Sequence, residues 1–119
     1  MYVFVRKDLP HPQQVVQASH ACIEATKAFF DTELEHPHLV VVGVNDESKL
    51  YKAASKLNKA GIRYKVFIEP DRNDEATAIA TEPVFGDARE HFRNYTLLST
   101  GHGSVVSSTH ELQEVRNVG

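Results

Sequence analysis

Tyr2-Val-Phe-Val-Arg-Lys-Asp-Leu9, followed closely by Val15-Val-Gln-Ala-Ser-His-Ala21, decides the fold. The first stretch gathers β-branched and aromatic residues and then turns polar. It predicts a strand over Met1–Arg6 that leaves into a charged turn. Pro12 suits the first turn of a helix, where its missing N–H would be unpaired anyway. A helix is predicted from Pro12 to Phe30. Val15, Cys22 and Phe29 share one face of it, with Ala18 and Ala25 beside them. Gln13, Gln17, His20, Glu24, Lys27 and Asp31 form the opposite line, at steps of three and four. The small side chains of Ala18, Ala21 and Ala25 would let this helix lie close to a sheet. Gln17 and His20 then stand just beyond the exit of a strand, where α/β proteins tend to hold ligands.

Outward from this opening, Glu33–His38 is a polar link, and Leu39–Val44 is a continuous apolar run. A strand covered on both faces reads this way, which predicts a central strand of a parallel sheet. Asn45 or Asp46 can cap a second helix, Glu47 to Ala60, whose inner stripe is Leu50, Ala53, Ala54 and Leu57. Gly61 ends it by taking the left-handed conformation cheaply. Tyr64–Ile68 and Ala76–Thr81 read as strands. The loop between them is too short for a helix, so they are expected to pair antiparallel. Pro83 ends the last of these strands, Phe85–Arg93 suits a short helix, and Tyr95–Leu98 a short extended piece. The order β-α-β-α-β-β predicts an α/β fold: a small mixed sheet of about four strands with helices on both faces, three layers in all. Residues 1–98 make up this domain. From Ser99 the chain is turn-like and polar, and 99–119 is expected to be a flexible tail.

The chain has 119 residues, one domain by size. No apolar run is long enough for a membrane span. No basic start precedes a long apolar stretch, so no secretory signal is expected. The lone Cys22 excludes an internal disulfide and fits a reducing compartment, so a cytoplasmic location is expected. It reads as a small buried hydrophobe, not a nucleophile. The seven histidines show no metal-binding spacing, and glycine-rich nucleotide motifs are missing. Neither a metal nor a cofactor is called for. The net charge of −3 is unevenly spread. Residues 46–65 carry six basic side chains against Asp46 and Glu47. Lys49, Lys52, Lys56 and Lys59 form one stripe on the second helix. Such a stripe can follow a phosphate backbone, and it is equally what an ordinary exposed face looks like.

Val3-Phe-Val-Arg-Lys-Asp-Leu9 with Gln17-Ala-Ser-His-Ala21 resembles the opening of the type 2 (archaeal and eukaryotic) peptidyl-tRNA hydrolases. That opening reads as a strand, Arg-x-Asp-Leu, then Ala-Ala-Gln-x-x-His-Ala. Lys65-Val-Phe-Ile-Glu-Pro70 and Thr77-Ala-Ile-Ala-Thr-Glu-Pro83 resemble the family's third and fourth strands. The likeness is closest to the divergent "peptidyl-tRNA hydrolase domain-containing" branch and covers roughly residues 2–98. It implies hydrolysis of the ester between a peptide and the 3′ ribose of tRNA, and often a homodimer. Gln13 stands where the main branch has a lysine, and Glu69 where it has an aspartate. The first threonine of the third loop has no counterpart, and Thr77 matches the second.

Ester hydrolysis needs a positioned water, a base for its proton and donors for the oxyanion. Glu69, with an ordinary pKa of about 4.3, would be a carboxylate at neutral pH. His20 could share its work, and Gln17 offers both donor and acceptor. Thr77 could hold the ester or the terminal ribose. Gln17, His20, Glu69 and Thr77 are therefore the expected catalytic residues. Arg6, Lys7, Asp8, Gln13, Lys49, Lys52, Lys56 and Lys59 are expected at the substrate, with tRNA as partner. A catalytically silent domain of the same fold, binding RNA or a protein, is the main alternative. A hydrolase of another ester or amide is a third reading.

Overall fold

The structure is a computed structural model that describes residues 1–30 and 38–98. The expected tail from Ser99, His36 and most of the polar link lie outside the described residues. The element order is β1 (Tyr2–Arg6), α1 (His11–Phe29), β2 (Val40–Val44), α2 (Glu47–Ala60), β3 (Tyr64–Glu69) and β4 (Glu75–Thr81). Short 3₁₀ turns follow β3 at Pro70–Arg72 and β4 at Gly86–Phe92. The sheet runs β2-β1-β4-β3. β1 and β2 are parallel, while β4 is antiparallel to both its neighbours, β1 and β3. The expected mixed four-stranded α/β sheet is therefore what the chain forms. Among the described residues no helix is long and apolar enough to cross a membrane.

The two faces are built differently. Tyr2, Phe4, Val42 and Ile79 pack with Leu50, Ala53 and Leu57 of α2, a side-chain-rich layer. Phe92 joins it, stacked on Tyr2 with ring centroids 3.8 Å apart. On the other face Val3, Val5, Ala78 and Ala80 meet Ala21 and Ala25 of α1. Small residues on both sides let α1 approach the sheet closely. α2 begins at Asp46, whose carboxylate accepts the Lys49 N–H at 2.9 Å. It ends at Gly61 with φ 73°.

Two expectations need correction. β2 is an edge strand, not a central one. Its apolar run reflects cover on both faces: Val40, Val42 and Val44 pack toward α2, and Val41 toward α1. Its outer edge is partly closed by residues 96–98, where Gly43 donates to the Thr96 carbonyl and Leu98 to that of Val41. Composition reports cover, and it cannot tell a paired centre from a capped edge.

The faces of α1 are also other than predicted. Gln14, Gln17, Ala21 and Ala25 point inward, whereas Val15 (65 % exposed), Val16 and Ile23 face out. Close approach to the sheet admits alanines and excludes valines. Gln17 is tolerated because both ends of its amide find partners, whereas Gln14 is bonded only through its Nε2 and its Oε1 is buried without a partner. Gln14 donates through Nε2 to the Leu9 carbonyl at 2.8 Å, fixing the turn after β1.

Candidate functional site

The C-terminal ends of β1, β2 and β3 and the start of β4 lie at one end of the sheet, as their pairing requires. Near that end the β3–β4 ladder slips. Phe67 stands opposite Ala78 and Ile68 opposite Ala76, so Thr77 is the extra residue of a β-bulge. Ala78 and Ala80 face α1, while Ala76 and Ile79 face the α2 layer. An unbroken pleat would send Thr77 to the α2 side with Ile79. The bulge re-aims it toward α1.

There the Thr77 hydroxyl donates to Gln17 Oε1 at 2.7 Å. Gln17 Nε2 in turn donates to Glu69 Oε2 at 2.8 Å. Gln17 and Thr77 are fully buried, and Glu69 is half-buried at the rim. The three make one directed chain: hydroxyl to amide, amide to carboxylate. It fixes the amide's orientation, since the reverse would set a carbonyl oxygen against an anion. The second Glu69 oxygen accepts the Asp71 N–H at 3.1 Å. These donors hold the Glu69 carboxyl below the usual carboxylate range, the Gln17 amide most of all, with smaller help from His20 and Arg72.

His20 lies exposed beside this chain, stacked on Phe67 with ring centroids 4.6 Å apart. Gln13 is also exposed, with its Oε1 3.4 Å from Gln17 Nε2. The structure thus gathers all four expected catalytic residues and Gln13 on one side of the sheet. Their exposure differs. Glu69, His20 and Gln13 reach solvent, while Gln17 and Thr77 are buried behind Glu69.

Arg6 and Asp8 form a knot. Arg6 is 6 % exposed. It donates through Nε and Nη2 to the two Asp8 oxygens, both at 2.9 Å. Its Nη1 donates to Glu75 at 2.8 Å and to the Ala76 carbonyl at 3.1 Å. Glu47 of α2 accepts the Ala76 N–H at 2.8 Å. Side chains from β1 and α2 therefore grip both ends of residue 76, next to the bulge. Neither Glu47 nor Glu75 stood out in the sequence. Acidic residues beside a helix start and in a turn have no pattern that announces such partners.

The Arg6 guanidinium keeps Asp8 below its ordinary pKa. Asp8 and Glu69 both hold folded values below their unfolded ones, so each stabilises the fold at a pH above the unfolded value. That contribution is lost as pH falls through the folded value. The urea midpoint is expected to stay flat above about pH 5 and to drop below about pH 4. A midpoint unchanged down to pH 3 would contradict both assignments.

The lysines lie elsewhere. Lys7, Lys49, Lys52 and Lys56 line one open hollow beside the end of β2. Lys59 lines the next one. Among the described residues no group of His, Cys, Asp and Glu is arranged to hold a metal ion.

Comparison with known proteins bears on this arrangement. The family described as "Peptidyl-tRNA hydrolase PTH2" matches residues 1–95. No curated protein matches the chain in sequence. A solved structure of a protein of unknown function from Agrobacterium tumefaciens strain C58 is similar, with a TM-score of 0.57 at 13 % identity. The match covers 82 % of this chain and 96 % of that one, and at this identity it speaks for the fold alone. The sheet, the strand-exit residues and the family match agree: this chain belongs to the peptidyl-tRNA hydrolase PTH2 family.

Proposed function

We propose that this domain hydrolyses the ester joining a peptide to the 3′ ribose of tRNA. The observation that best supports the reading is the directed chain from Thr77 through Gln17 to a half-exposed Glu69. A carboxylate held from behind by a buried amide presents a fixed lone pair to water. Its low pKa makes it a weak base and a constant one, ionised across neutral pH. That suffices for an ester, which is more labile than an amide. Glu69 would orient the water and take its proton as it attacks the carbonyl carbon. His20 and the Gln13 amide stand where they could meet the developing oxyanion or the departing ribose oxygen.

The test is single-turnover release of peptide from N-blocked aminoacyl-tRNA. Thr77→Val is informative because it touches nothing the substrate can reach. It leaves Gln17 Oε1 buried without a donor, at a cost of about 1–3 kcal/mol in stability. Freed from its anchor, the amide holds Glu69 less firmly. A rate loss of about tenfold is expected, with the acid limb of the pH–rate profile moved upward, and Thr77→Ser should restore both. A Thr77→Val enzyme with an unmoved pH profile would remove the chain from the mechanism.

One observation favours a second reading, a silent domain that binds RNA without cleaving it. Gln13 contributes no charge beside Gln17, at the position where the main branch of the family has a lysine. Tight, salt-dependent tRNA binding with no peptide release would establish that reading.

A further inference from the structure

The four-lysine hollow has a composition that the Glu69 site does not explain. Lys7, Lys49, Lys52 and Lys56 line a cavity of about 360 Å³ together with Asn45, Asn94 and Tyr95, and no carboxylate lines it. Among the described residues none of these lysines is in an ion pair. Four like charges around one hollow repel, and an anion relieves them. Gly43 admits the fourth. A Cβ there would lie 2.8 Å from Lys7 Cδ, so any other residue would push the Lys7 stem out of its present place.

Tyr95 belongs to this hollow and to its neighbour, a cavity of about 270 Å³ that also has Lys59, His91 and Phe92 in its wall. Its ring meets Phe4 of the core edge-on, 4.9 Å between centroids, which fixes it in place. Lys56 Nζ stands 5.8 Å from the ring centre. An aromatic ring held by the core and flanked by cations is what an unstacked base and its phosphates require.

We propose that this double hollow binds single-stranded RNA, with Lys7, Lys49, Lys52 and Lys56 on successive phosphates and Tyr95 stacked on a base. The inference rests on tRNA being the substrate, and it assigns the part of tRNA that is held: the unpaired segment leading to the ester. Geometry supports the assignment. The hollow is at the end of β2, and Glu69 and Thr77 are at the same end of the sheet on β3 and β4. Two to three strand spacings separate these strands within the sheet, and the hollow is walled by α2 while Glu69 and Thr77 meet Gln17 on the α1 side, so an extended strand would pass from one to the other round this end of the sheet. Lys7, at the exit of β1, lies between the two.

The experiment uses a 5′-labelled RNA octanucleotide, the same sequence as a duplex, and an acidic peptide, with binding followed by anisotropy over a salt series. The single strand should bind at least tenfold tighter than the other two. Each lysine changed to Ala should lower the magnitude of the salt slope by about 0.7. Tyr95→Phe should bind as wild type, and Tyr95→Ala about 5- to 150-fold weaker. Because Tyr95 touches the core, the exposed triple change Lys49→Ala, Lys52→Ala, Lys56→Ala is the second arm. On N-blocked aminoacyl-tRNA it should raise KM and leave kcat unchanged. An unchanged KM and salt slope in that triple variant overturns the proposal even if peptide is released. Equal binding of duplex, peptide and single strand overturns it as well. Strand binding lost in the triple variant supports it even if no ester is cleaved, and then only the hydrolysis reading fails.

Discussion

Glu69→Gln lowers single-turnover peptide release by about 10²- to 10⁴-fold, the range for losing a positioned general base. That is about 3–5 kcal/mol on the barrier. The substitution keeps the shape of the side chain and leaves an oxygen that can still accept from Gln17 Nε2, now 2.8 Å from the carboxylate. The fold should therefore survive, and the loss should lie in kcat with little change in KM. Glu69→Asp is the sharper control. It keeps the charge but draws the carboxylate back by one methylene, away from the amide that orients it. It should recover only part of the rate, and its acid limb should lie higher because the Gln17 donor is weakened. Equal rates for wild type and Glu69→Gln would remove this residue from the mechanism.

Arg6→Met is the largest expected effect on stability. Arg6 is buried and gives hydrogen bonds to two carboxylates and a backbone carbonyl. Breaking a buried pair by removing one partner costs about 3–5 kcal/mol. Here the lower end applies, because Asp8 and Glu75 are partly exposed and water can rescue them. Urea unfolding should show a midpoint lowered accordingly with its slope unchanged. The variant should also lose part of its acid sensitivity, since Asp8 no longer has a depressed pKa to lose. An unfolding free energy within about 0.5 kcal/mol of wild type would mean that the knot contributes no more than an ordinary surface pair.

Most of the architecture was legible because it rests on local chemistry. Glu47–Ala60 declared itself through its cap, its inner stripe and Gly61. The short loop after β3 dictated an antiparallel partner, and β3 and β4 pair that way. What could not be read was set by packing between elements. The inward face of α1 was chosen by the narrow gap above Ala78 and Ala80, so Gln17 went in and Val15 came out. Hydrophobicity ranks those two residues in the opposite order. The edge position of β2 depended on a late segment returning to close it.

The candidate site divides along the same line. Residue types pointed to Gln17, His20, Glu69 and Thr77, yet they gave no account of which side chains reach solvent. Arg6 and Asp8 were expected at the substrate, and the sequence could not show that Arg6 is held by Glu75, nearly seventy positions away. Tyr95 and Gly43 carried no signal at all. A tyrosine near the end of a domain and a glycine inside an apolar run become informative only when the sheet edge brings lysines around them.

The irregular step at Thr77 carries a lesson about reading frames within a strand. Deleting Ala76 would put Thr77 opposite Ile68 and restore the regular alternation. The hydroxyl would then emerge beneath the other layer, and Gln17 would lose its anchor behind Glu69 with Thr77, Gln17 and Glu69 all still present. Relatives of this chain compared by residue identity without that offset would have their threonines matched one place out of step. On the hydrolase reading proposed above, activity is then open to silencing by length alone.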